Sequence, residues 1–144
     1  MILLDANLLL YAYNEAATEH ATARPWFERS LSGTDRVGVP WPSILAFIRI
    51  ASNPVVFRKP VSPADAWQVV RQWLRRDNVW IPTPGATHTE ILESLLDARV
   101  TSRMVPDAHL AALAIEHGLT LCSTDADFAR FPGLSWRNPL SANQ

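Results

Sequence analysis

Short continuous apolar runs alternate along this chain with longer stretches whose apolar residues recur every three or four positions. Ile2-Leu3-Leu4 is such a run, and one so short and apolar predicts a strand covered on both faces, as in a parallel sheet; Arg36–Val39, Val79-Trp80-Ile81, Leu119–Cys122 and Leu134–Trp136 are further strand candidates. The helical period occupies Asn7–Tyr13, Glu19–Leu31, Pro42–Ala51, the segment after Ser62, the segment after Thr87, and Asp107–His117. Ser62-Pro63 with Asp65 gives an N-cap, a proline at the first helical position and an acid at the positive end. Thr87-His-Thr-Glu90 has capping-box spacing. Pro25 predicts a kink or restart in its helix, and Gly118 a C-terminal stop. Asp125–Ala129 reads as a short helical turn. Strands alternating with helices predict an α/β fold on a mainly parallel sheet.

No repeat or linker interrupts this pattern, so residues 1–144 are expected to form a single domain. The chain is 48% hydrophobic with only five glycines, enough apolar material for a real core. One cysteine, Cys122, excludes an internal disulfide and is expected to be a buried structural thiol. Together with the lack of a basic leader, this predicts a cytoplasmic location. No apolar stretch is long enough for a membrane span. A net charge of −1 gives no general attraction to nucleic acid, so any grip on a polyanion must be local or supplied by a metal.

The candidate chemistry lies in the acids. Sites in open α/β sheets form at the carboxyl ends of strands. Asp5 ends the first strand, Asp125 follows the fourth by two residues, and Asp107 stands in the first turn of the helix leading into the fourth. Asp107 alone is more economically read as a helix-terminal acid. A charge directly after Ile-Leu-Leu is costly to bury without a partner, however. Gathered carboxylates repel unless a cation joins them, and oxygen-only donors suit Mg²⁺ or Mn²⁺. Such a cation serves phosphodiester hydrolysis without a protein nucleophile. Competing arrangements are poor. There is no Gly-x-Ser-x-Gly elbow and no glycine-rich phosphate loop, and the four histidines lack metal-ligand spacing and read as surface or capping residues.

Three motifs carry a family resemblance: Leu4-Asp5-Ala6-Asn7-Leu8-Leu9, Pro106-Asp107-Ala108-His109-Leu110-Ala111, and Ser123-Thr124-Asp125-Ala126-Asp127-Phe128. In this order and spacing they resemble the PIN-domain nucleases. More narrowly they are similar to the VapC branch, toxins of bacterial toxin–antitoxin pairs. The segments Phe47–Pro54 and Asp127–Leu140 extend the likeness over nearly the whole chain. The resemblance implies a three-layer α/β/α fold with a central, mainly parallel sheet of four to five strands. It implies a Mg²⁺- or Mn²⁺-dependent endoribonuclease that cuts a structured RNA (tRNA or rRNA) and so inhibits translation. It also implies a VapB-type antitoxin partner and a homodimer. Residue by residue, Asp5 and Asp107 match the principal metal-binding acids, Asp125 the third aspartate and Asp127 an accessory acid. Asn7 and Ser123 match supporting polar residues, and Arg49 an arginine of the second motif. One departure stands out: the family usually carries a glutamate three residues before that arginine, where this chain has Ala46. The alternative it raises is a degenerate PIN module that binds RNA or antitoxin without efficient cleavage. Arg71, Arg75, Arg76, Arg99 and Arg103 are either solvated surface or an RNA-gripping rim, and the apolar helix Ile44–Ile50 is either core or a partner face.

Overall fold

A computed structural model of the chain describes residues 1–97 and 99–141; Ala98 and the last three positions of the expected domain lie outside the described residues. The element order is β1 (Ile2–Leu4), α1 (Ala6–Tyr13), α2 (His20–Ser32), β2 (Val37–Gly38), α3 (Trp41–Ala51), α4 (Pro63–Leu74), β3 (Val79–Trp80), α5 (His88–Leu95), α6 (Val105–His117), β4 (Thr120–Cys122) and β5 (Trp136–Arg137). Short 3₁₀ turns at Ser102–Met104 and Ala126–Arg130 flank α6 and β4.

All five strands are parallel, in the order β3-β2-β1-β4-β5. The α/β class, the parallel sheet and the strand count therefore agree with expectation. Each predicted strand is present: β1 with the expected bounds, β2, β3 and β4 trimmed at their ends, and β5 moved from Leu134–Trp136 to Trp136–Arg137. The chain builds outward from β1 in one direction, then crosses back to add β4 and β5 on the other side. Because crossover connections share one hand, this reversal puts the helices of the two halves on opposite faces.

The two-residue period of β1 assigns its side chains to these faces. Leu4 packs with α1, α2, α3 and α4 around Leu8, Phe27, Phe47 and Trp73. Leu3 points the other way, into a second core with Leu121, Phe128, Phe131 and α6. In β4 the alternation repeats, with Leu121 in the second core and Cys122 in the first. The cysteine is buried, and burial raises its thiol pKa, in keeping with a structural role. The α6 helix buries an unbroken run from Leu110 to Ala114. Its alanines let it lie close to both the sheet and α5.

The local signals resolve unevenly. Ser62 accepts the Asp65 N–H at 3.1 Å, the cap its sequence predicts. Pro25 does not restart its helix, since α2 runs through it. Proline removes only the bond to the Ala21 carbonyl, and that turn is exposed so that water can take its place. Thr87 does precede α5, but its hydroxyl makes no capping bond and instead donates to Glu116 Oε2 at 2.9 Å. The helix of Ile44–Ile50 is split between the two expected roles: Ser43, Ile44, Phe47 and Ala51 are buried, while Trp41 and Leu45 are exposed.

Gly118 closes α6 in the left-handed region (φ +66°), donating its N–H to the Ile115 carbonyl. A Cβ there would meet nothing within 4 Å, so only backbone strain opposes a side chain. Gly118→Ala is expected to cost about 1 kcal/mol, read as a lowered urea midpoint with an unchanged slope.

Candidate active site

The switch in strand order lies between β1 and β4, and the carboxyl ends of these neighbours open a crevice. Asp5 leaves β1 there and caps α1. Its Oδ1 accepts the Ala6 N–H at 2.8 Å, and its Oδ2 accepts the Ser123 hydroxyl at 2.7 Å and the Asn7 side-chain amide at 3.2 Å. Asn7 also donates to Ser123 Oγ at 3.0 Å, and that oxygen takes the Asp125 N–H at 3.0 Å. A single fully buried serine thus ties the loop after β4 to the acid after β1.

Asp125 is exposed and caps the following 3₁₀ turn, accepting the Asp127 N–H at 2.9 Å. Asp127 lies 3.9 Å from Arg103 and 4.0 Å from Arg130. Asp107 sits in the first turn of α6, half-buried. Burial, followed by the charges of Asp5, Asp125 and Asp127, pushes its carboxyl up to about 6, with only the Arg103 guanidinium opposing. Burial also raises the Asp5 carboxyl, against its hydrogen bonds from Ser123 and Ala6 and with the charge of Asp125 adding to the rise. All four sequence-selected acids therefore share one electrostatic neighbourhood. Their donors are all oxygen, the chemistry of a hard cation. Among the described residues, however, no three acids, histidines or cysteines stand close enough to clasp an ion by themselves.

The sign of the pH dependence follows. An Asp107 carboxyl at about 6 in the fold, against 3.8 ordinarily, is protonated more readily folded than unfolded. Its ionisation therefore opposes folding above about pH 6, and that penalty disappears as pH falls below 3.8. Protons and a cation compete for the same oxygens. Divalent-cation affinity is accordingly expected to fall roughly tenfold per pH unit below about 6, measured by calorimetry with Mn²⁺ from pH 7.5 to 5.

Two supporting groups escape sequence reasoning. Ser43 on α3, fully buried, donates to the Leu4 carbonyl at 2.7 Å and fixes the peptide next to Asp5. The Trp136 indole on β5 donates to the Ser123 carbonyl at 3.1 Å. The one signal for Ser43 was a hydroxyl in an otherwise apolar helix. Two of the four histidines, His88 and His109, depart from expectation. His88 is buried, with Nε2 3.2 Å from His109 Nδ1 and Nδ1 4.0 Å from Glu116. Glu116 is occupied elsewhere, accepting the N–H groups of Gly85 and Thr87. These groups bind α5 to α6 rather than form a surface or cap.

Comparison with known proteins agrees with this arrangement. The family model for the PIN domain matches residues 2–134. Ribonuclease VapC37 of Mycobacterium tuberculosis is 40% identical over 140 residues, covering 96% of this chain and 97% of its own. Ribonuclease VapC33 of the same organism is 40% identical over 141 residues, covering 97% and 99%. Among solved structures, VapBC2 from Rickettsia felis bound to a promoter DNA fragment superposes with a TM-score of 0.67 at 18% identity, covering 96% of this chain and 98% of that one. VapBC-1 from nontypeable Haemophilus influenzae gives 0.67 at 16% identity, covering 98% and 100%. At these identities the structures speak to the fold, and the fold is the same. From the family model and the closely covering relatives together, the chain belongs to the PIN-domain family, on the branch that holds the VapC ribonucleases.

Proposed function

We propose that this chain is a cytoplasmic endoribonuclease that hydrolyses phosphodiester bonds in a structured RNA (tRNA or rRNA) and blocks translation as the toxin of a toxin–antitoxin pair. The observation that carries the reading is the concentration of four acids at the β1/β4 switch point, where burial and then the charges of the other three push the Asp107 carboxyl up to about 6. That charge calls for a cation. Asp5 and Asp107 would hold Mg²⁺ or Mn²⁺, with water completing the shell. A cation bound there polarises the phosphodiester and offsets charge on the leaving oxygen.

The protein's own groups do the positioning. Ser123, Asn7 and the Ala6 N–H fix the Asp5 carboxylate in one orientation. Asp125 and Asp127 keep further negative charge beside the pair, and Arg103 stands at the edge, where it can meet a phosphate. The 40%-identical relatives are named ribonucleases, which weighs against a PIN module that binds without cutting. Toxin–antitoxin complexes among the solved neighbours support a VapB-type antitoxin as partner. The exposed Trp41, stacked on Trp67, and the exposed Leu45 give α3 an apolar outer face suited to that partner or to a second copy. Among the described residues no helix is long and apolar enough to cross a membrane.

Purified protein incubated with total tRNA and rRNA is the test. Cleavage is expected with Mg²⁺ or Mn²⁺, none with EDTA, and none for Asp5→Asn; expression of the wild type alone should arrest growth. No cleavage by the wild type, with equal arrest by Asp5→Asn, overturns the reading. Ala46 lies one turn beyond Ser43 on the same stripe of α3, the stripe that reaches the peptide next to Asp5. Ala46→Glu is therefore expected to tighten Mn²⁺ binding by roughly tenfold in calorimetry, the effect of one added carboxylate oxygen on a hard cation.

A further inference from the structure

Beside the acids lies a second hollow that the hydrolytic reading leaves unused. A cavity of about 490 Å³ opens between the end of α5, the 3₁₀ turn before α6 and the segment after Asp127. Leu95, Met104, Phe131 and Pro132 form apolar walls, and Arg130 and Arg99, the latter paired at 2.7 Å with the lining carboxylate Asp97, stand at the rim. The same Arg130 reaches Asp127, which Arg103 approaches from its other oxygen. The cavity is thus one ion pair away from the acid cluster. The guanidiniums of Arg99, Arg103 and Arg130 are largely in solvent, with side chains 72, 88 and 66% exposed. Their pairings with Asp97 and Asp127 leave most of their N–H donors unused.

An apolar floor under a cationic rim selects its occupant. A phosphate alone has no use for the floor, and an aliphatic ligand has none for the arginines. A paired duplex cannot enter, because its bases are stacked inside. An unpaired nucleotide presents a flat, weakly polar base on an anionic chain and satisfies both parts. The volume is that of a small-ligand pocket.

We infer that this cavity is a subsite for one unpaired nucleobase of the RNA, next to the bond presented to the acids, with Arg103 and Arg130 on its flanking phosphates. The assignment rests on the ribonuclease reading and deepens it. It makes the substrate a looped or single-stranded segment rather than a helix.

The test is binding, with cleavage read separately. Asp5→Asn protein, which keeps RNA intact, is titrated with fluorescein-labelled ten-nucleotide oligoadenylate and oligouridylate, and with the abasic oligomer of the same length. A base-bearing oligomer is expected to bind about tenfold tighter than the abasic one, the scale of one stacked base. The chain has only two methionines, Met1 and Met104, so the Met104 methyl signal can be followed in a ¹³C-methyl spectrum. It is expected to shift with a base-bearing oligomer and stay put with the abasic one. Ala129→Trp, which fills the mouth from an exposed lining position, is expected to reduce base-bearing affinity to the abasic level. A Met104 signal indifferent to base, or an Ala129→Trp protein that still prefers bases, overturns the subsite. So does a Met104 signal moved by a VapB-type antitoxin but by no RNA, which assigns the cavity to protein. Wild-type cleavage together with equal binding of base-bearing and abasic oligomers overturns the subsite alone, whereas base-dependent binding without cleavage overturns the ribonuclease reading and keeps the subsite.

Discussion

Asp107→Asn is expected to make the metal-free protein more stable and to cripple its RNA cleavage. Burial and three neighbouring acids hold this carboxyl at about 6, so at neutral pH its charge opposes folding. The group is half-exposed, and solvent screens much of the shift. Neutralising it is therefore expected to return about 1 kcal/mol and raise the melting temperature by about 3 °C above pH 7. The gain should vanish below pH 4, where wild type and variant carry the same charge at this position. RNA cleavage should fall roughly 10²–10³-fold, the scale on which loss of a charge-stabilising group acts at a reaction centre. Calorimetric melting at pH 7.5 and 3.5, paired with a cleavage assay, checks both halves. A variant less stable than wild type at pH 7.5 would mean that the acids are already neutralised by something other than a cation.

The second large effect concerns the opposite side of the sheet. Phe47 is fully buried, edge-on to Tyr13 at 5.3 Å and tilted against Trp73 at 4.8 Å. Phe47→Ala is expected to cost about 3–5 kcal/mol, a large share of the roughly 5–15 kcal/mol typical of a domain. Urea unfolding should show it as a lowered midpoint. The damage should also reach the acids, since α3 carries Ser43, whose hydroxyl holds the peptide before Asp5. Phe47→Leu, which keeps most of the volume, should recover most of the stability. A loss below 1 kcal/mol for the alanine variant would mean that α3 docks mainly through Ile44 and Ala51.

What the sequence disclosed depended on how local each signal was. The strands were legible because doubly covered strands leave continuous apolar runs, and Asp5 because a charge directly after such a run demands an explanation. Ser62 capped its helix because a cap is satisfied within four residues. The failures involve partners far along the chain. Thr87 had the right local spacing, yet Glu116, 29 residues on, captured its hydroxyl. His88 read as surface because its partners, His109 and Glu116, lie on another helix. Ser43 was silent for the same reason, its acceptor being the Leu4 carbonyl 39 residues earlier. The order of strands in the sheet was not legible, since period alone does not choose neighbours.

The pairing of β1 with β4 has a consequence for how this molecule is made. Ile2 aligns with Thr120 and Leu4 with Cys122, so the central strand waits for a partner more than a hundred residues later in synthesis. Such long-range pairing is slow and cannot begin until the later strand has emerged. The serine that orients Asp5 follows β4 directly. A growing chain thus carries Asp5 for most of translation with its local bonds to Ala6 and Asn7 but without the serine that ties it to the loop after β4. The site at the β1/β4 switch point is therefore incomplete until β4 has been made.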